Sequence, residues 1–220
     1  MERERTVVTV SRQLGSGGSY VAEQVAKELG IPLVDREILR QAAKELGKDD
    51  TVLEAYEERS SSLVERLVNV LSLGTPEHPY LPPAERPVYD RDLFELESRI
   101  ISRIVDDHDA VIIGRGAFHV LRGRPEAVHV FVYAPVAHRV QQLMKVQNIA
   151  DPVEARATIE ESDRRRSRFI KDMVGVSWTD AGNYHLSIDS SVAGITGSAK
   201  IVFDFVRLKG PMTKSKGRRQ

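Results

Sequence analysis

Residues 8–37 read VTVSRQLGSGGSYVAEQVAKELGIPLVDRE, and the rest of the chain can be interpreted from them. A β-branched run at residues 6–11 leads into a cluster of glycines, which opens onto a segment with apolar residues at helical spacing until Gly30. Glycines can turn successive backbone N–H groups toward an anion, and a following helix adds the positive end of its dipole. The stretch predicts a phosphate-binding loop between a strand and a helix; the alternative is a glycine-rich turn without a ligand.

The loop departs from the usual phosphate-binding pattern, GxxxxGK(S/T), because it contains no lysine. When residues 12–19, RQLGSGGS, are aligned with that pattern, Gly17 and Ser19 fall where the second glycine and the hydroxyl residue belong. Arg12 stands in the position of the first glycine, and Gly18 stands in that of the lysine. Ser19 can still offer a hydroxyl to Mg²⁺, and Arg12, at the end of the strand, can supply the missing positive charge.

The composition is typical of a soluble protein with a single domain. Of the 220 residues, 41% are hydrophobic and 29% charged, and the absence of cysteine excludes a disulfide scaffold and thiolate chemistry. The 32 basic residues balance the 32 acidic ones, so no net charge attracts nucleic acid and we expect no nucleic-acid partner. We find neither an apolar leader nor the roughly 20 apolar residues of a membrane span, and we expect a cytoplasmic protein with no membrane partner.

Apolar, strand-like segments alternate with helical ones along the chain. Strands are expected at residues 6–11, 31–35, 110–114, 128–135 and 185–191. Helices are expected between and after them, at residues 20–30, 36–47, 62–73, 93–108, 138–147, 152–174 and 197–208. Strands that are apolar on both faces are typical of a parallel sheet buried on both sides. The order predicts a doubly wound α/β/α sandwich with five parallel strands, which binds ligands at the carboxyl ends of the strands.

Ordered blocks of the sequence resemble the cytidylate kinase-like family, a divergent branch of the P-loop nucleoside monophosphate kinases. The blocks are, in chain order, VSRQLGSGGSYVAEQVAKELGIPLVDREIL, VIIGRGAFHVL, VFVYAPVAHRV, ESDRRRSRF and NYHLSIDSS. The resemblance covers residues 7–206. It implies a three-layer P-loop NTPase sandwich with a five-stranded parallel sheet, an insertion that binds the nucleoside monophosphate, and a helical lid.

The same resemblance divides the chain into parts. Residues 1–209 would form a single kinase-like domain, with its core at 6–38 and 92–209, its acceptor-binding insertion at 39–91 and its lid at 150–182. The proline-rich segment 76–87 would be either part of a mobile flap or an interface loop. Residues 210–220, GPMTKSKGRRQ, are basic, and we expect them to form a disordered tail.

The resemblance implies that the glycine loop holds the phosphates of ATP. The residues concerned are Arg12, Gly15, Ser16, Gly17, Gly18 and Ser19, with Ser19 also a possible ligand of Mg²⁺. A lysine-free loop is similar to the pattern of this branch, so the missing lysine is a branch feature. The branch often carries a basic residue at the position of Ser19, and this chain departs from it there, toward the standard loop.

Basic and acidic residues at two strand ends are expected to contact phosphate. Asp35, Arg36 and Arg40 follow the second strand, where the resemblance implies contacts with the acceptor nucleotide; a helix cap or surface ion pair is the alternative. Arg115 follows the third strand, where a guanidinium can bind phosphate oxygens in a bidentate manner and act in catalysis; the alternative is a surface salt bridge. Cytidylate kinases proper carry acids on both sides of this glycine-arginine pair, and here Ile113 and Gly116 replace them.

The segment ESDRRRSRFIK concentrates positive charge on several sides of one helix. By resemblance, Asp163 and Arg166 match the acid and the catalytic arginine of the lid. Phosphoryl transfer needs cations around the equatorial oxygens, so phosphate contacts are expected from the neighbouring Arg164, Arg165 and Arg168. A solvated charged helix or an RNA-binding patch is the alternative.

These inferences predict ATP- and Mg²⁺-dependent phosphoryl transfer to a nucleoside monophosphate, CMP or dCMP first among them. A nucleotide-binding regulator without transfer activity stays open, because the loop lysine and both acids are missing. A kinase for another small-molecule acceptor also stays open, because the sequence contains no readable code for the base. A nucleic-acid-binding protein that uses the lid helix and the basic tail is the remaining alternative.

Overall fold

The computed structural model describes residues 5–35 and 91–209. In chain order its elements are β1 (Val7–Arg12), α1 (Gly18–Leu29), β2 (Leu33–Val34), α2 (Arg91–Asp107), β3 (Ala110–Ile113), α3 (Ala117–Val120), β4 (Ala127–Tyr133), α4 (Val136–Gln147), α5 (Pro152–Val174), a 3₁₀ turn (Ala181–Asn183), β5 (Leu186–Asp189) and α6 (Ser190–Lys209). Most of the predicted insertion, the predicted helices at 36–47 and 62–73 and the predicted tail at 210–220 lie outside the described residues.

The five strands form one parallel sheet in the order β2-β3-β1-β4-β5. The prediction of an α/β fold with a five-stranded parallel sheet is confirmed. Because all the strands run the same way, the segments that follow β1, β2 and β3 emerge at one edge of the sheet. The order also places β3 between β2 and β1, so the segment after β3 lies between the predicted acceptor side and the glycine loop.

Both faces of the sheet are buried, as the continuous apolar strands predict. Val7 packs into a cluster with α2 and α3, while the next residue, Val8, packs into a cluster with α1 and α6 on the opposite face. Both valines are 0% exposed. This alternation produces three layers, because each strand directs successive side chains to opposite faces of the sheet.

Local signals explain the ends of the long helix α5. The carboxylate of Asp151 accepts a hydrogen bond from the backbone N–H of Val153 at 2.8 Å, and Pro152 occupies the first turn, where no N–H partner is needed. Gly175, with a left-handed φ of 76°, ends the helix. The bounds predicted from the sequence, 152–174, are therefore confirmed.

The region around the last strand differs from its prediction. The strand is shorter than 185–191, and α6 begins at Ser190 rather than at residue 197. The carboxylate of Asp189 accepts hydrogen bonds from the backbone N–H and hydroxyl of Ser191, which starts a helix directly after the strand. Gly194, at φ 68° and ψ 171°, then interrupts α6.

No helix within residues 5–35 and 91–209 is both long and apolar enough to cross a membrane.

Candidate active site

The glycine loop lies at the carboxyl end of β1 and adopts a conformation that favours glycine. Gly15 and Gly17 have left-handed φ values of 80° and 74°. A Cβ on Gly15 would lie 2.7 Å from the carbonyl oxygen of Arg139, and a Cβ on Gly17 would lie 2.8 Å from Cγ1 of Ile195. The two glycines therefore satisfy both a backbone requirement and a packing requirement.

Ser16 holds this loop in place from inside. The residue is only 2% exposed. Its hydroxyl donates to the carbonyl oxygen of Gln13 at 2.8 Å and lies 3.1 Å from the carbonyl oxygen of Val132. In turn, the hydroxyl of Ser190 donates to the carbonyl oxygen of Ser16 at 2.6 Å. The Ser16 side chain therefore anchors the loop to β4, and the Ser16 backbone carbonyl connects the loop to the start of α6.

Arg12 explains why the lysine position holds a glycine. A Cβ on Gly18 would lie 2.4 Å from the Cβ of Arg12, so any side chain there is incompatible with the path of Arg12. A Cβ on Gly114, at the end of β3, would lie 2.6 Å from an outer guanidinium nitrogen of the same arginine. The Nε–H of Arg12 also donates to the hydroxyl of Ser19 at 3.4 Å. The side chain of Arg12 therefore lies between the loop and the end of β3.

A pocket of about 310 Å³ opens beside the loop. Its walls come from three elements: the loop itself, one side of α4 and the interrupted start of α6. Arg166 reaches it from α5. The lining residues are Arg12, Gln13, Leu14, Gly15, Ser16, Gly17, Gly18, Ser19, Tyr20, His138, Gln142, Leu143, Val146, Gln147, Arg166, Ser190, Ser191, Gly194, Ile195 and Thr196. The structure therefore brings together all the predicted ATP-contacting residues and Arg166.

Asp163 faces a buried arginine that the sequence did not single out. Arg139 on α4 is 3% exposed, and its guanidinium donates to Asp163 at 2.8 Å. The same side chain donates to the carbonyl oxygens of Ala134 at 2.9 Å and Leu14 at 3.2 Å. Arg139 therefore connects the helix that carries Arg166 to the glycine loop and to the end of β4.

The other lid arginines lie at the surface of α5 and outside the pocket lining. Arg164 and Arg165 have side chains 64% and 48% exposed, and both donate to the carboxylate of Glu161. Hydrogen bonds from Arg165 and Arg164 lower the pKa of Glu161. Arg168 is exposed as well. Of the predicted arginines on α5, Arg166 is the one that the structure brings to the pocket.

Arg115 forms a buried ion pair instead of the surface pair considered from the sequence. Its Nε–H donates to Glu97 at 2.6 Å, and its NH2 group contacts the same carboxylate oxygen. The carboxylate of Glu97 is 0% exposed, and the guanidinium carbon of Arg115 lies 4.8 Å from the ring centroid of Phe169 on α5.

Of the residues predicted to contact the acceptor, Asp35 comes directly after β2, the strand that neighbours β3. Arg36 and Arg40 lie outside the described residues.

Glu97 and Arg139 are the site residues that the sequence analysis missed. A usable signal was present in α2, where the buried positions Phe94, Glu97, Ile101 and Ile104 follow helical spacing and a single carboxylate stands among apolar residues. A charge on an apolar helix face usually has a buried partner. The sequence could have indicated that a partner exists, but not which residue it is.

Comparisons with known proteins agree with this architecture. The sequence matches the cytidylate kinase-like family over residues 7–192. A cytidylate kinase from Methanosarcina mazei is 24% identical over 185 residues, which are 83% of this chain and 86% of that protein.

The fold recurs in a solved structure. A crystal structure of an uncharacterized protein from Eubacterium ventriosum superposes with a TM-score of 0.66 and 17% identity, over 92% of this chain and 99% of that chain. A shikimate kinase from Acinetobacter baumannii in complex with shikimate has a TM-score of 0.48 and 12% identity, over 94% of this chain and 96% of that one. With its family match covering most of the sequence, the chain belongs to the cytidylate kinase-like family, and its role is kinase-like.

Proposed function

We propose that this protein transfers the terminal phosphoryl group of ATP to a nucleoside monophosphate, with CMP or dCMP as the preferred acceptor. The observation that carries the proposal is the convergence of Arg12, the glycine loop and Arg166 on one pocket. Two guanidinium groups beside a loop at a helix N-terminus form a site for several negative charges. Family membership supports the class of reaction, and the similarity to a cytidylate kinase supports the choice of acceptor.

The pocket is large enough for a nucleotide, because ligand pockets begin at about 300 Å³. We assign the triphosphate to the glycine loop and the base to the far end, between α4 and the interrupted α6. Val146 offers apolar surface there, and the side-chain amides of Gln142 and Gln147 offer hydrogen-bonding groups. This mixture of apolar walls and a few polar groups is typical of a nucleotide base site.

The residues present also fit Mg²⁺. This ion prefers oxygen ligands and usually binds through one or two protein oxygens together with substrate phosphates and water. Ser19, which lines the pocket beside Arg12, would provide the protein oxygen. When bound, Mg²⁺ would supply positive charge next to the phosphates of ATP.

The reaction needs positioning and charge stabilisation rather than a general base. A phosphate oxygen of the acceptor, already deprotonated at neutral pH, forms a bond to the γ-phosphorus of ATP while the bond from that phosphorus to the bridging oxygen breaks, and ADP leaves. Arg12 and Arg166 stabilise the charge spread over the transferred group. Arg115, which follows the strand between the acceptor side and the loop, binds the acceptor's phosphate.

The test is ADP release from Mg-ATP with CMP, dCMP, UMP, AMP, GMP or no acceptor. We expect acceptor-dependent release that is highest with CMP or dCMP, and at least a hundredfold loss of kcat in Arg12→Ala. Arg156→Ala is the control, because this arginine does not line the pocket and its side chain is 55% exposed. Release that is highest with another acceptor would refute the substrate assignment.

ATP binding by calorimetry without ADP release with any acceptor would refute the proposed transfer. That result would support a nucleotide-binding regulator.

A further inference from the structure

A fully buried carboxylate lies beside Arg115, and the fold alone gives no reason for it. Glu97 is 0% exposed and stands on the apolar face of α2, between Phe94 and Ile101. Taking a carboxylate and a guanidinium out of water carries a desolvation cost that their attraction repays only with good geometry. Apolar residues of similar volume often stabilise a protein as well or better. A buried pair at this position is therefore a candidate for a functional role.

The guanidinium of Arg115 is constrained on two sides. Glu97 contacts its Nε and NH2 groups, and the ring of Phe169 lies 4.8 Å from its central carbon. Phe169 is itself held by an edge-to-face contact with Phe94, with ring centroids 5.6 Å apart. These contacts restrict the rotation of a side chain that is otherwise long and flexible.

The backbone of Arg115 is unusual as well. Its φ of 52° lies in the left-handed region, which is unfavourable for a residue with a Cβ. Non-glycine residues in such conformations are concentrated at functional sites, where the surrounding structure holds them. Arg115 follows β3 at the carboxyl edge of the sheet, which is where folds of this class bind ligands.

The position of Arg115 in the sheet indicates what it faces. It follows β3, which lies between β2, whose end carries Asp35, and β1, whose end carries the glycine loop. The preceding residue, Gly114, lies against the guanidinium of Arg12. Arg115 therefore lies between the acceptor side and the phosphoryl donor.

We infer that Glu97 is a positioning residue that aims the guanidinium of Arg115 at the phosphate group of the acceptor, a phosphate monoester. This inference rests on the proposed function, and it names the residue that prepares the acceptor half of the site. Glu97 binds the guanidinium through its Nε and NH2 groups and so fixes the plane in which the guanidinium meets a phosphate. A guanidinium held in advance loses less entropy when the acceptor binds and holds the attacking oxygen more accurately.

The test separates acceptor binding from donor binding. Glu97→Gln preserves the volume of the side chain and its carbonyl oxygen but removes the charge that holds Arg115. We expect the calorimetric Kd of the variant for CMP to rise by at least tenfold, its Kd for ATP to stay within twofold of the wild type, and kcat/KM for the acceptor to fall by at least tenfold. Glu95→Gln, an exposed carboxylate on the same helix, is the control and should match the wild type in all three.

A double-mutant cycle distinguishes positioning from a structural role. If Glu97 acts through Arg115, the variant Arg115→Gln should show the same acceptor defect, and the double variant should be no worse than Arg115→Gln alone. Additive losses, or equal losses of ATP and CMP binding in Glu97→Gln, would overturn the inference. If Glu97→Gln does not fold, Glu97→Met replaces it in the cycle, with the same expected results.

These measurements separate the inference from the proposed function. Wild-type protein that binds CMP without releasing ADP would refute phosphoryl transfer, while the CMP affinities of the variants would still decide the role of Glu97. Wild-type protein that binds neither CMP nor any other nucleoside monophosphate of the panel would overturn the inference itself.

Discussion

The buried imidazole of His129 on β4 should make the protein less stable in mild acid. The residue is 5% exposed, its Nδ1 lies 2.9 Å from the hydroxyl of Thr9, and its ring stacks on that of His185 with centroids 4.9 Å apart. Burial lowers the pKa of His129 from 6.5 to about 4, and the nearby His185 and Lys209 act in the same direction. The carbonyl of Leu121 opposes this change only in part. The folded protein therefore favours the neutral ring.

The sign and size of the effect follow from this difference. Because the pKa is lowered on folding, the stabilising contribution is complete above the unfolded value of 6.5 and is lost as the pH falls toward the folded value of about 4. Lowering the pH from 7.5 to 5.0 should reduce the free energy of unfolding by about 2 kcal/mol through this one group. Burial also lowers the pKa of His185, so that residue contributes in the same direction.

Urea unfolding of the wild type and of His129→Gln at the two pH values measures this contribution. The variant is expected to be less stable at pH 7.5, but it should lose about 2 kcal/mol less than the wild type on acidification. His108→Gln, a substitution just beyond the end of α2, is the matched control and should follow the wild type. If the His129 variant and the wild type lost equal stability between the two pH values, the reasoning would be refuted.

Three further predictions concern the site. Gly15→Ala and Gly30→Ala both place a Cβ at a positive φ, but the new atom lies 2.7 Å from a carbonyl oxygen at Gly15 and meets nothing within 4 Å at Gly30. Urea unfolding should therefore show a loss about 1–3 kcal/mol larger for Gly15→Ala, and equal losses would contradict the packing argument. Asp163→Asn removes the charge opposite a buried arginine, and the side chain of Asp163 is itself 22% exposed. Thermal unfolding should therefore show that the free energy of unfolding falls by about 2 kcal/mol. An unchanged unfolding midpoint would contradict this prediction. Steady-state kinetics should show kcat reduced at least about a hundredfold in Arg166→Ala and nearly unchanged in Arg164→Ala, because only the former residue lines the pocket. Similar kcat values for these two variants would contradict the assignment of Arg166.

Much of the fold could be predicted from the sequence because its signals are local. The β-branched run before Gly15 and the apolar segment at residues 110–114 identify strands through their composition alone. Asp151 and Gly175 determine the bounds of α5 through hydrogen bonds and backbone freedom within a few residues. The start of α6 was missed, because a serine-rich run after Asp189 has no apolar periodicity and becomes helical through a capping carboxylate.

The sequence by itself also predicted the loop, the family resemblance and most charged residues of the candidate site, though not Glu97 or Arg139. Only the tertiary structure decided which of those charges meet. Arg12 lies against Gly18 and Gly114. Arg115 pairs with Glu97, 18 positions away in the chain. Arg139 pairs with Asp163, 24 positions away. Such pairings depend on the order of the strands and the packing of helices on the sheet. The local pattern of a sequence reports periodicity and burial, but not which distant element will lie opposite.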